Sequence, residues 1–149
     1  MHQAPEAMGE NRPVRILSRT VLFVAIAALL PAAAGDRTKS LFTEPARSVP
    51  AVRVLSRGTI VFSGTMDLSP TLDRIARGEK DPHRNDGSVF GNRERLLPEK
   101  PKNWYREYVV PTPGEKGPGP QRVIFGRDGE AFYTPDHYRT FIPLNERKR

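Results

Sequence analysis

Fifteen prolines and twelve glycines are spread through this chain of 149 residues. They cut it into runs too short for a helical bundle and favour short strands joined by turns. Pro113-Gly114, Gly117 to Pro120, Asp128-Gly129 and Pro135-Asp136 punctuate the C-terminal part at hairpin spacing. Between such breaks, Val89-Phe90, Tyr105 to Val110, Gln121 to Phe125, Ala131 to Tyr133 and Arg139 to Ile142 read as strands. Thr59-Ile60-Val61-Phe62 is a further short β-rich run. One helix is signalled. Ser69 offers a hydroxyl cap and Pro70 suits a first helical position. Leu72, Ile75 and Ala76 then form one apolar stripe, and Gly78 can end the helix left-handed. The helix is therefore expected over about Pro70 to Arg77. One helix followed by strands at hairpin spacing predicts an α+β fold, with one main helix packed on a twisted antiparallel sheet.

The N-terminus has a different character. Arg12, Arg15 and Arg19 precede the apolar run Val21 to Leu30, and Pro31 leads into Ala32-Ala33-Ala34-Gly35. Positive charge, a short apolar stretch and an A-x-A site are the parts of a secretory signal. Residues 1–34 are read as that signal, which predicts a secreted, extracellular protein. Residues 35–56 lack a sustained period and are read as a flexible linker or pro-segment. Val49, Val52, Val54 and Leu55 leave open a strand starting within that stretch. The folded domain is placed at 57–149. No run of 18 apolar residues occurs, so no stable membrane association is expected, and a monomer is expected.

The chain carries 24 Lys+Arg against 17 Asp+Glu, a formal charge of +7. That surplus favours an anionic partner such as nucleic acid, acidic lipid or phosphate. The absence of cysteine excludes disulfides, thiolate metal sites and a cysteine nucleophile. His2, His83 and His137 are scattered and form no metal-binding pair. Three places carry candidate chemistry. In Tyr105-Arg106-Glu107-Tyr108-Val109, alternation puts Glu107 on one face with Tyr105 and Val109. A carboxylate there needs a partner, and a cross-strand ion pair with an arginine is the plain reading. His137, in a turn, titrates near neutrality and can supply a proton. Asp86 to Glu94 combines an aromatic, a glycine-containing turn and a carboxylate, which suits a flat base such as guanine. An ordinary loop with a capping Asn fits the same residues.

Taken together these blocks resemble a known family. Asp86-Gly87-x-Val89-Phe90-x-Asn92-Arg93-Glu94, Leu97-Pro98, Tyr105-x-Glu107-Tyr108, Thr112-Pro113-Gly114, Arg122-Val123-Ile124 and Tyr133-Thr134-x-Asp136-His137-Tyr138-x-Thr140-Phe141 are similar to the secreted microbial guanyl-specific ribonucleases. These are barnase-like enzymes, and the likeness is strongest to their streptomycete-type branch. It runs from about Arg57 to Ile142.

The resemblance implies an α+β microbial ribonuclease fold and an endoribonuclease that cleaves single-stranded RNA 3′ to guanosine. Transesterification would give a 2′,3′-cyclic phosphate, which is then hydrolysed, with no cofactor and no metal. By the same resemblance Glu107 is the general base, His137 the general acid and Arg122 a phosphate-binding arginine. Glu94 reads guanine, with the amides of Gly91, Asn92 and Arg93 on the other edge of the base. Phe90 and Tyr138 are its aromatic walls. RNA is the implied partner, together with a small acidic, barstar-like protein inhibitor.

The pattern departs from the family at one position of consequence. A second phosphate arginine is usual four residues before the one matching Arg122, and Pro118 stands there. Lys116 is the nearest replacement, as a point charge without a bidentate fork. A second reading therefore stays open: a module of the same fold that holds guanine nucleotides or RNA with weakened catalysis. A third is a basic exported protein that binds acidic surfaces without specificity.

Overall fold

The structure is a computed structural model and describes residues 40–149. The expected signal at 1–34 lies outside the described residues. The elements are β1 (Ser48–Ser56), β2 (Thr59–Asp67), α1 (Ser69–Ala76), β3 (Ser88–Phe90), β4 (Tyr105–Val109), β5 (Arg122–Gly126), β6 (Ala131–Thr134) and β7 (Ile142–Pro143). Strands β3 to β7 form one antiparallel sheet in chain order, and β1 and β2 form a separate hairpin. Among the described residues there is one α-helix, so the fold is α+β as expected.

Cross-strand register explains which side chains share a face. Glu107 lies opposite Ser88 on β3 and Ile124 on β5, while Arg122 lies between Val109 and Thr134. Period-two alternation then puts Val123, Ala131 and Tyr133 on the other face. There they join Val49, Val52, Val54, Met66, Leu68 and Leu72 in the main core. The hairpin and α1 thus cover one face of the sheet. The opposite face carries a smaller cluster of Leu97, Tyr105 and Ile124, edged by Phe90, Phe132, Tyr138 and Phe141. Glu107 and Arg122 belong to that second face.

Three sequence expectations need correction. Residues from Ser40 onward are folded, not linker. Leu41 N–H donates to Asp128 O, Ala46 N–H to Leu144 O, and Ser48–Ser56 is a strand. A β-bulge hides its period. Pro50 and Ala51 together face Thr65, so Val49 and Val52, three apart, both point inward. Second, α1 is not capped by the Ser69 hydroxyl. Leu68 is the N-cap without a side-chain bond, and the Asp67 carboxylate accepts from Ser69 N–H at 2.9 Å. Gly78 does end the helix at φ 70. Third, Arg139 and Thr140 are not strand, and the cause is Asp136. Its Oδ1 accepts from the N–H groups of Arg139 and Thr140 at 3.1 and 3.0 Å, and its Oδ2 from the Thr140 hydroxyl at 2.7 Å. The local bonds of this short acidic side chain replace a ladder.

Candidate active site

Glu107 sits mid-strand on β4 and is 7% exposed. Its Oε1 accepts from the Ser88 hydroxyl at 2.9 Å, and its Oε2 accepts from the Tyr138 hydroxyl. Oε2 also faces Arg122 Nε at 3.7 Å. The ion pair expected across the strands is therefore present, on the diagonal between β4 and β5. Ser88 was not singled out from the sequence. Its position two residues before Phe90, on the same face of one strand, was the available signal.

Arg122 is 3% exposed and its geometry is imposed by main chain. Nη1 donates to the carbonyls of Pro118, Gly119 and Gln121 at 2.9, 2.9 and 2.6 Å. The loop that supplies two of these carbonyls is packed against Thr112. Gly119 adopts φ 57, and a Cβ there would lie 2.2 Å from Thr112 Oγ1. Behind it, Gln121 donates to Thr112 Oγ1 at 3.1 Å and accepts from the Tyr133 hydroxyl. Arg122 Nε is buried and has no hydrogen-bond partner. A buried donor of this kind is rare and is ready for an anionic oxygen.

His137 stands in the turn after β6, and its N–H donates to Pro120 O at 3.0 Å. The segment that fixes Arg122 therefore also fixes His137. His137 and Tyr138 take φ 56 and 66, a left-handed pair that costs of order 1–3 kcal/mol per residue. The Asp136 bonds and Tyr138 N–H donating to Thr134 Oγ1 at 3.0 Å hold this conformation. Partial burial, followed by the positive charges of Arg122 and Arg139, holds the imidazole below its ordinary pKa, while Asp136 opposes them. Tyr138 bridges the groups. Its hydroxyl is on Glu107, and its ring lies 6.0 Å from the Arg122 guanidinium carbon. Burial and the bond to Glu107 push its phenol up to about 12.

The base-reading segment lies alongside. Phe90 and Tyr138 stack on one another, with centroids 5.2 Å apart and planes inclined by 26°. The two expected walls thus touch, and a base entering between them must part them. Asn92 (φ 44) closes the loop with its side chain, donating to Leu97 O at 2.8 Å and accepting from Leu97 N–H at 3.0 Å. Its capping role and an expected base-reading role for the loop are compatible, because that reading uses the backbone amide of Asn92 and not its side chain. Gly91, Arg93 and Glu94 are exposed, as is Lys116 on the loop beside His137. Among the described residues, no group of three or more His, Cys, Asp or Glu could hold a metal ion. The arrangement offers a carboxylate beside a buried guanidinium, with an imidazole on the adjoining turn within reach of the guanidinium's charge, a set able to move two protons about an anion.

Comparison with known proteins is consistent with that chemistry. A family model described as ribonuclease matches residues 65–145. Guanyl-specific ribonuclease Sa of Kitasatospora aureofaciens is 42% identical over 91 residues, which are 60% of this chain and 95% of that protein. Guanyl-specific ribonuclease St of Saccharopolyspora erythraea is 43% identical over 79 residues, 50% of this chain and 78% of that protein. A solved structure of ribonuclease Sa2 complexes with mononucleotides is 44% identical, covering 50% of this chain and 78% of that one at a TM-score of 0.48.

Proposed function

Because this chain belongs to the microbial guanyl-specific ribonuclease family, in its streptomycete-type branch, we propose that it cuts single-stranded RNA 3′ to guanosine with Glu107 as base and His137 as acid. Glu107 takes the proton of the ribose 2′-OH. That oxygen attacks the adjacent phosphorus, and protonated His137 gives its proton to the departing 5′-oxygen. The product is a 2′,3′-cyclic phosphate, and water enters in a second step with the two roles exchanged. The nucleophile is already part of the substrate, so its proximity is built in. Arg122 stabilises charge developing on the phosphate oxygens. One observation supports this reading above the others: the buried Nε of Arg122, without a hydrogen-bond partner, lies 3.7 Å from the Glu107 carboxylate.

Guanine is read at the loop beside this cleft. The amides of Gly91, Asn92 and Arg93 meet the base acceptors, Glu94 accepts from its N–H donors, and Phe90 and Tyr138 flank its faces. Lys116 adds positive charge near the phosphate in place of the arginine absent at 118. The enzyme acts outside the cell, a reading supported by the charged, apolar and small-residue order of residues 12–34. A basic cleft of this kind also suits a small acidic protein inhibitor.

The test is incubation of the purified protein with GpU. Guanosine 2′,3′-cyclic phosphate and uridine are expected, and the analogue with 2′-deoxyguanosine stays intact. Glu107→Gln and His137→Gln should each lower kcat by about 10²- to 10⁴-fold. Unchanged turnover in Glu107→Gln refutes the assignment of the base. Binding of GpU without cleavage points instead to a nucleotide-holding module.

A further inference from the structure

The face of the sheet that carries the main core is not covered across its whole width. One cross-strand row runs Val89, Arg106, Phe125 and Ala131 over β3, β4, β5 and β6. Ala131 at its β6 end is buried, while Val89 at its β3 end is 43% exposed. Beside the middle of this row opens a hollow of about 250 Å³, walled by Trp104, Arg106, Tyr108, Phe125, Gly126 and Arg127. Neither the guanine loop nor Glu107, Arg122, His137 or Tyr138 lines it. Period-two alternation points Arg106 and Tyr108 away from the face of β4 that carries Glu107. The hollow and the proposed base therefore lie on opposite faces of one sheet.

The hollow is aromatic and cationic. The rings of Tyr108 and Phe125 meet edge to face, with centroids 6.0 Å apart and planes inclined by 79°. A flat ring laid on one of them meets the edge of the other, a geometry that aromatic groups favour. Trp104 stands at the rim, its indole N–H bonded to Glu130 at 2.8 Å and Lys100 Nζ 4.7 Å from its ring centre. Asp128 and Glu130 face Lys100 at 3.6 and 3.9 Å. Arg106 and Arg127 are exposed, and among the described residues neither forms an ion pair. The volume lies just under the roughly 300–1,000 Å³ of pockets for drug-sized ligands, and suits a single planar base.

We propose that this hollow is a second, base-tolerant site for single-stranded RNA, which stacks one unpaired base on Tyr108 and Phe125 and holds the flanking phosphates on Arg106 and Arg127. The choice of RNA rests on the ribonuclease reading above and on the charge of the walls. Every base has a π-face, so stacking of this kind selects single strands and not sequence. Each free guanidinium offers paired N–H groups to a phosphate. The route between the two faces is short. Strand β3 is the sheet edge and has three residues, of which Ser88 and Phe90 face the catalytic side and Val89 the hollow side. An RNA strand held at the catalytic face has only this edge to round. Its second contact is then intramolecular, so long RNA is retained over short without any new contact to guanine.

The probe is a 2′-O-methyl uridylate oligomer of about eight nucleotides, which has no guanosine and no free 2′-OH to attack. Trp104 is the single tryptophan of the chain, so its fluorescence reads the rim of the hollow. The oligomer should quench it saturably, and guanosine 3′-monophosphate should not displace the oligomer. Phe125→Leu removes the ring and keeps an apolar side chain. It should weaken binding about tenfold, the worth of one base–aromatic stack. Arg127→Gln, at an exposed position, should weaken binding about threefold and lower the slope of log Kd on log salt by about 0.7, one phosphate contact on a single strand. Inorganic polyphosphate of equal charge should bind about tenfold more weakly than the oligomer, because it has no base to stack. Displacement by guanosine 3′-monophosphate, an affinity unmoved by both substitutions, or equal affinity for polyphosphate overturns the site. Failure of the native protein to cleave GpU refutes the ribonuclease reading separately, because oligomer binding is read without cleavage.

Discussion

Tyr138 donates its hydroxyl hydrogen to Oε2 of Glu107, the same oxygen that faces Nε of Arg122. The neighbour of the acid in sequence thus covers the base in space. In the proposed reaction the ribose hydroxyl approaches a carboxylate that already accepts from Tyr138 and Ser88.

The Tyr138 phenol, pushed up to about 12 by burial and by its bond to Glu107, reports on this contact. Glu107→Gln removes the neighbouring negative charge that disfavours phenolate, so the Tyr138 pKa should fall. Ring-carbon NMR of labelled tyrosine across alkaline pH measures it. An identical titration in both proteins would show that the contact does not form in solution.

In the proposed mechanism His137 sets the alkaline side of activity. Its pKa is lowered by partial burial and by Arg122 and Arg139, so its proton is lost earlier as pH rises. The alkaline limb of kcat/KM should therefore fall below about pH 6.5, the ordinary value for imidazole. Arg139→Gln removes one opposing positive charge and should move that limb upward. Steady-state rates on GpU between pH 4 and 8, on the order of ten points each, decide the direction.

Pro118 occupies the position where the family resemblance expects a second phosphate arginine. Arg122 uses only the main-chain carbonyl of Pro118, which any residue retains. Pro118→Arg should therefore preserve the Arg122 scaffold and raise kcat, by up to about 10²-fold if the new guanidinium reaches the transition-state phosphate. Single-turnover cleavage of GpU gives the comparison. An unchanged rate would mean that Arg122 with Lys116 already supplies the charge the reaction uses.

Asp86 is a stability determinant that ties α1 to the sheet. Its carboxylate takes a two-pronged ion pair from Arg74 at 2.7 and 3.0 Å and accepts from the N–H groups of Asp81 and Val109 at 3.0 and 2.8 Å. Arg74 also donates to Val109 O at 2.9 Å. Burial opposes ionisation of Asp86, but the Arg74 bond and the two amides outweigh it and hold its pKa below the ordinary value. Its contribution is thus complete above about pH 4, the unfolded value, and is lost as pH falls through the lower folded value. Asp86→Asn should cost about 3–5 kcal/mol at neutral pH and flatten the acid decline. Urea unfolding at a series of pH values checks both.

Local chemistry made much of this protein legible in one dimension. Turn residues and the Ser-Pro helix start were enough for the α+β class and for strands β3 to β6, and the motif blocks, through their family resemblance, named Glu107, His137, Arg122 and Glu94 as candidates. These features depend on neighbours a few residues apart. What eluded the sequence depends on partners far along the chain or on a break in period. The bulge at Pro50-Ala51 disguised β1 as a linker, and Asp136 turned an expected strand into a knot. Only the folded chain could lay the Tyr138 hydroxyl on Glu107 and tie Ser56 to Glu115. Each of those is a meeting of side chains separated by tens of residues, and register and packing alone determine it.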